Sequence, residues 1–103
     1  MEGDPRISQD VLARYAGDAA SEVTGVAALA ESPLHRGRAV EIVESDGVVD
    51  VRVHVQLEWG RSAAEIGGRA QRRVREYVER MTSKHVGTVE IVVEHVTAPP
   101  PRR

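Results

Sequence analysis

The chain has 103 residues with 14 basic and 16 acidic side chains, a formal net charge of −2 at pH 7 with histidines neutral. That length supports one domain with one modest core, and the near-balanced charge excludes a global pull toward nucleic acid or acidic lipid. The absence of Cys excludes disulfides, thiol catalysis and thiolate metal sites together and fits a reducing compartment. With no Phe, one Trp and two Tyr, the core has to be built from Val, Ile, Leu and Ala.

Residues 1–7 read as a flexible arm. Met1-Glu2-Gly3-Asp4-Pro5 is acidic and has no apolar h-region, so no secretory signal is read there. Ser8 is the expected N-cap of a first helix over about 9–24, with Asp10 in the first turn, where negative charge suits the helix dipole. Val11, Leu12, Tyr15, Ala16, Ala19, Ala20 and Val23 recur at three- and four-residue spacing, and Gly25 reads as the terminator. Val26 to Leu29 form a short strand. Val26 to Ala30 is the longest apolar stretch, far short of the roughly 20 residues a membrane span needs, so direct insertion is not expected. Residues 30–38, with Pro33, His35, Arg36, Gly37 and Arg38, form a loop, and 39–44 a second strand.

Ser45-Asp46-Gly47 is a turn, and Asp-Gly between strand-like runs is a hairpin signal. The run from Val48 to Leu57 then alternates strictly: Val49, Val51, Val53, Val55 and Leu57 are apolar, while Asp50, Arg52, His54 and Gln56 are polar. Only a half-buried strand uses that pattern, because its successive side chains point to opposite faces. Ser62-Ala63-Ala64-Glu65 matches a capping box. It opens a second helix to about Met81, whose apolar stripe is Ala63, Ile66, Gly67, Ala70, Val74, Tyr77 and Met81. Gly67 and Gly68 each cost about 1 kcal/mol relative to Ala, which implies close backbone packing against the sheet near Trp59. Val89, Ile91 and Val93 alternate in a last strand to about Val96, and 97–103 is a Pro/Arg-rich flexible tail.

This order makes a two-layer α+β sandwich over residues 8–96. It has a three- to four-stranded mixed sheet, with both helices on one face and the other face left to solvent or a partner. No catalytic, cofactor-binding or metal site emerges. His35, His54, His85 and His95 form no i, i+4 pair and no His-Glu-x-x-His. Simple alternation places His54 and His95 on opposite sheet faces, as surface or edge histidines. Glu41, Glu44 and Asp50 read as cross-strand partners of Arg52. Residues 61–84 carry seven basic against three acidic side chains, an asymmetry that fits an acidic partner or a solvated helix face. The i, i+4 pairs Glu65–Arg69, Arg72–Glu76, Arg75–Glu79 and Glu76–Arg80 account for much of it, each contributing a few tenths of a kcal/mol. Aromatics are too few for stacking on bases, so nucleic acid is not the expected partner. The candidate partner surface comprises Arg52 and His54 on the open sheet face and Arg69, Arg72, Arg73 and Arg80 on the second helix.

The segments Ile7-Ser8, Val11, Ala16, Ala20, Glu22-Val23 and Gly25-Val26 resemble the alkaline-shock protein family of bacterial envelope-stress proteins. So do Val49-Asp50-Val51, Val53, Val55 and Glu58-Trp59-Gly60, then Ile66, Ala70-Gln71, Val74, Val78 and Met81-Thr82, then Val89-Glu90-Ile91 and Val93. Trp59 stands where Tyr or a similar residue is expected before the glycine. The resemblance spans residues 7–96 and implies a non-enzymatic cytoplasmic protein without cofactors, linked to envelope homeostasis and stress. It further implies association with itself or paralogues and attachment to the membrane through a small membrane-anchored partner. An RNA-associated domain using the Arg-rich helix is the alternative.

Overall fold

The computed structural model describes residues 8–31 and 38–98. The arm over 1–7, the heart of the expected loop with Pro33, His35, Arg36 and Gly37, and the tail from 99 onward lie outside the described residues. The elements in order are α1 (Gln9–Ser21), β1 (Val26–Leu29), β2 (Val40–Ser45), β3 (Val48–Leu57), α2 (Ala63–Thr82) and β4 (His85–Val96).

Ser8 caps α1, its hydroxyl accepting the Val11 N–H at 3.2 Å. The helix ends at Ser21, before the expected 24, because the Val23 N–H turns back to the Ala20 carbonyl and the chain swings into Gly25 at φ +103. Gly25 is required twice over: its φ is left-handed, and a Cβ there would lie 2.5 Å from Ile66 Cδ1. The Asp46-Gly47 turn has both residues at positive φ, 54° and 78°, which is the type I′ geometry a two-residue hairpin needs. It sets Ser45 opposite Val48 and so fixes the β2–β3 register. At α2 the Ser62 hydroxyl accepts the Glu65 N–H at 3.2 Å, as the capping box predicts.

The sheet is mixed and is organised around β3. β1 and β2 both pair antiparallel with one edge of β3, Val26 to Leu29 beside Leu57 to Val55 and Val40 to Ser45 beside Val53 to Val48. They run in the same direction, end to end, as one edge strand interrupted opposite His54. There the Ala30 N–H donates to the His54 carbonyl at 2.8 Å and the His54 N–H donates to the Ala39 carbonyl at 2.7 Å. β4 lies parallel to β3 on its other edge, from Val48–His85 to Leu57–Val96. Its register slips by one residue between Val86 and Val89 and again between Val93 and His95. The second bulge places His95 beside Gln56, on the same face as His54. Simple alternation, which puts the two histidines on opposite faces, fails there.

Both helices cover one face. Leu12, Ala16, Ala19 and Ala20 of α1 and Ile66, Val74 and Val78 of α2 close over Val49, Val51, Val53, Val55 and Leu57 of β3, with Val86 and Val89 of β4. The five β3 residues are at most 2% exposed, and burying each such side chain contributes about 1.5–3 kcal/mol. Tyr15 and Tyr77 meet edge to face at 5.8 Å between the helices. The buried stripe of α2 differs from the expected one. Val78 is fully buried and Met81 is 45% exposed.

Gly67 and Gly68 do not pack against the sheet. No atom lies within 4 Å of a Cβ built at Gly67, and only Arg72 Nη1, at 3.9 Å, approaches one at Gly68. Gly67→Ala should therefore raise stability by about 0.5–1 kcal/mol through helix propensity alone. Gly25→Ala should lower it by about 1–3 kcal/mol through overpacking and φ strain. Urea unfolding of the two variants measures both, and the same sign for both would contradict the packing described.

Candidate interaction surface

The uncovered sheet face carries Glu41 and Val43 from β2, Asp50, Arg52, His54 and Gln56 from β3, and Glu90, Val92, Glu94 and His95 from β4. Register puts Glu41, Arg52 and Glu90 in one cross-strand row. The Arg52 Nε donates to Glu90 Oε1 at 2.8 Å, and its Nη1 stands 4.0 Å from Glu41 Oε1. The hydrogen bond Arg52 donates to Glu90, the charge of Glu90 and then that of Glu41 raise the pKa of the guanidinium above its ordinary value. Arg52 remains half exposed, so the row is held in place while open to a partner.

His54 is a different case from the surface histidine expected. It is 3% exposed, although it lies on the sheet face that the helices leave uncovered. Its Nδ1 meets Glu94 Oε2 at 2.6 Å and its Nε2 meets Glu41 Oε2 at 2.6 Å. One ring therefore ties β2 to β4 across β3. A neutral imidazole has a single N–H, so filling both contacts as hydrogen bonds takes a second proton, on the ring or on a carboxyl group. The two ring nitrogens point apart and keep the carboxylates at opposite ends. Among the described residues no group of three or more His, Asp or Glu side chains converges as metal ligands do. At the start of β4, Lys84 Nζ bonds Glu44 Oε2 at 2.6 Å, with both side chains mostly buried.

The basic residues of α2 lie on the opposite layer. Arg69, Arg72 and Arg73 line a groove with Glu22, Thr24 and Glu76 beside the end of α1, and Arg73 bonds Glu22 at 2.8 Å. Arg80 lies over the Tyr77 ring, 5.5 Å from its centre. The expected i, i+4 ladder does not form among the described residues. Arg75 instead donates to the Val86 and Gly87 carbonyls, and Glu79 accepts the Val86 N–H at 2.9 Å. The six candidate residues thus fall into two groups: Arg52 with His54, joined through Glu41, and Arg69, Arg72 and Arg73, with Arg80 apart along the helix. Glu41 and Glu90 as partners of Arg52 follow from the Asp-Gly turn and the parallel register. Glu94 at His54 does not, because it sits at the bulge.

Fold and surface together define a two-layer α+β domain whose distinguishing feature is a charged, internally bonded open sheet face. The chain belongs to the alkaline-shock protein family, which is described by a cell envelope-related function. The match covers residues 1–98. No curated protein shows significant sequence similarity to it. Among solved structures, an aspartate-to-asparagine variant of the MamM CTD in its nickel form is similar, at 9% identity and TM-score 0.57, over 84% of this chain and 98% of that one. A methionine-to-leucine variant of the MamM CTD matches at 9% identity and TM-score 0.57, over 84% and 95%. A glutamate-to-aspartate variant in its manganese form matches at 8% and 0.58, over 85% and 99%. At such identities these likenesses show the fold. No helix among the described residues is long and apolar enough to cross a membrane.

His54→Ala should lower stability by about 2 kcal/mol, since it opens a void and takes one close partner from each of two carboxylates. Arg52→Ala should change it little, because exposed ion pairs contribute little. Equal losses in urea unfolding would mean that the buried ring has no more structural weight than the exposed pair.

Proposed function

We propose that the chain is a non-enzymatic scaffold or interaction domain with an envelope-related role, acting by self-association or by docking on an envelope partner. It works in the cytoplasm, and a small membrane-anchored protein or a paralogue is the kind of partner it fits. The observation that carries this reading is the open sheet face, where Arg52, Glu41, Glu90 and Glu94 are already held by one another and by His54. Charges fixed before binding lose little freedom on binding, and complementary charge confers partner choice more than raw affinity. The family's envelope-related description supports the same direction.

The alternative, an RNA-associated domain reading through α2, asks for guanidinium groups free to meet phosphates. Arg73 and Arg75 are instead engaged by Glu22 and by the carbonyls of β4.

Affinity purification of the full chain from its native cell after light crosslinking, with mass spectrometry, tests the proposal. A small membrane protein or a paralogue should co-purify, and its recovery should fall about tenfold or more for Arg52→Glu. RNA or ribosomal components that survive nuclease controls, and are lost in Arg72→Glu with Arg73→Glu, would overturn it in favour of the alternative.

A further inference from the structure

The two edges of β4 are not alike, and neither are the two halves of its outer edge. The inner edge belongs to β3. Along the first half of the outer edge, α2 side chains occupy the outward backbone groups: Arg75 takes the Val86 and Gly87 carbonyls, Glu79 the Val86 N–H, and Gln71 the Val89 carbonyl at 3.1 Å. Backbone direction in a strand repeats every two residues, so Ile91 and Val93 face outward as Val89 does. Beyond the bulge, the Thr97 N–H bonds the Leu57 carbonyl at 2.9 Å, which leaves Val96 facing outward too. No side chain of the described residues meets these groups. The side chains of Val93 and Val96 lie on the helix-covered side of the sheet yet are 40% and 44% exposed.

α2 runs back over β4, so the turns before Gln71 stand above this uncapped half. They hold Ala64, Gly67 and Gly68, and the space beside Gly67 is empty. Two glycines lower the helix propensity of α2, and among the described residues nothing fills the room beside Gly67.

We infer that this strip pairs with the same strip of a second copy, β4 against β4 antiparallel about a two-fold axis near Val93, joining two sheets into one. The inference deepens the self-association part of the proposed function and rests on it. Three features select a second copy. First, strands pair about 4.8 Å apart, while helices need about 8–10 Å between axes. Joining two β4 strands therefore crowds the two α2 helices at the axis, and a missing side chain at Gly67 and Gly68 relieves the crowding on both sides at once, as a self-complementary contact requires. Second, the outward backbone groups of Ile91, Val93 and Val96 comprise both donors and acceptors, which the same strip of a second copy matches in antiparallel pairing. Third, a standard interface buries about 800 Å² per partner. Half a strand edge and two helical turns offer less, so the association is weak and concentration-dependent.

Sedimentation of the full chain over a wide concentration range should show a monomer–dimer equilibrium. Val93→Lys should weaken the dimer tenfold or more while leaving the unfolding curve in place, because the side chain is exposed. Because the chain has no Cys, Val93→Cys should give a disulfide-linked dimer on mild oxidation, while Val43→Cys on the open face should not. A dimer unaltered by Val93→Lys, or equal crosslinking at positions 43 and 93, would overturn this interface and leave self-association standing. A chain that stays monomeric throughout would overturn both.

Discussion

Strand β3 hydrogen-bonds to every other strand, β1 and β2 on one edge and β4 on the other. Its alternation therefore sets the chemistry of both faces of the domain at once. The aliphatic residues at 49, 51, 53, 55 and 57 supply the floor on which both helices rest. The polar residues between them set the middle column of the open face. A one-residue slip of β3 would turn its whole valine set to solvent. The Asp46-Gly47 turn prevents such a slip on the β2 side by its backbone geometry, and the Lys84–Glu44 pair ties the start of β4 to β2 across it.

The break in the edge strand gives His54 its unusual setting. Where a continuous edge strand would put one residue beside His54, the chain leaves at Ala30 and returns at Ala39, and both backbone bonds to His54 are kept. The adjoining rows then supply the side-chain contacts: Glu41 from the row of Arg52, and Glu94 from the bulge in β4. The two irregularities of the sheet, an interruption on one edge and a bulge on the other, thus converge on the same ring. Alternation alone predicts a surface histidine at 54, and it does not foresee these contacts.

Much of this fold is legible in the sequence, because the devices that define it are local. Ser8 and Ser62 as caps, Asp46-Gly47 as a turn and the alternation from Val49 to Leu57 each act within a few residues, and each appears at its expected place. The differences share another cause. The bulges in β4 come from how β4 lies on β3, so neither the face of His95 nor the position of Glu94 can be counted from parity. A ladder of i, i+4 pairs is what the sequence of α2 offers by itself, but Arg75 and Glu79 find better partners on β4. A glycine pair inside a helix suggests close packing on the sheet, yet no described atom lies within 4 Å of a Cβ built at Gly67. In each case the residue type is informative and its partner, distant along the chain, is not.

Arg75, Glu79 and Gln71 also cover part of the long outer strand. An unpaired edge of twelve residues is a template for indiscriminate pairing. Side chains from α2 close the half where the helix passes near enough to reach, converting backbone groups into internal hydrogen bonds. They reach no further than Val89, because the residues one turn earlier are glycines with nothing to extend. The same short sequence that opens α2 therefore sets both how much of the edge is left unpaired and how near another backbone can come to it. At 67 and 68, one turn before Gln71, the sequence has the smallest residue available.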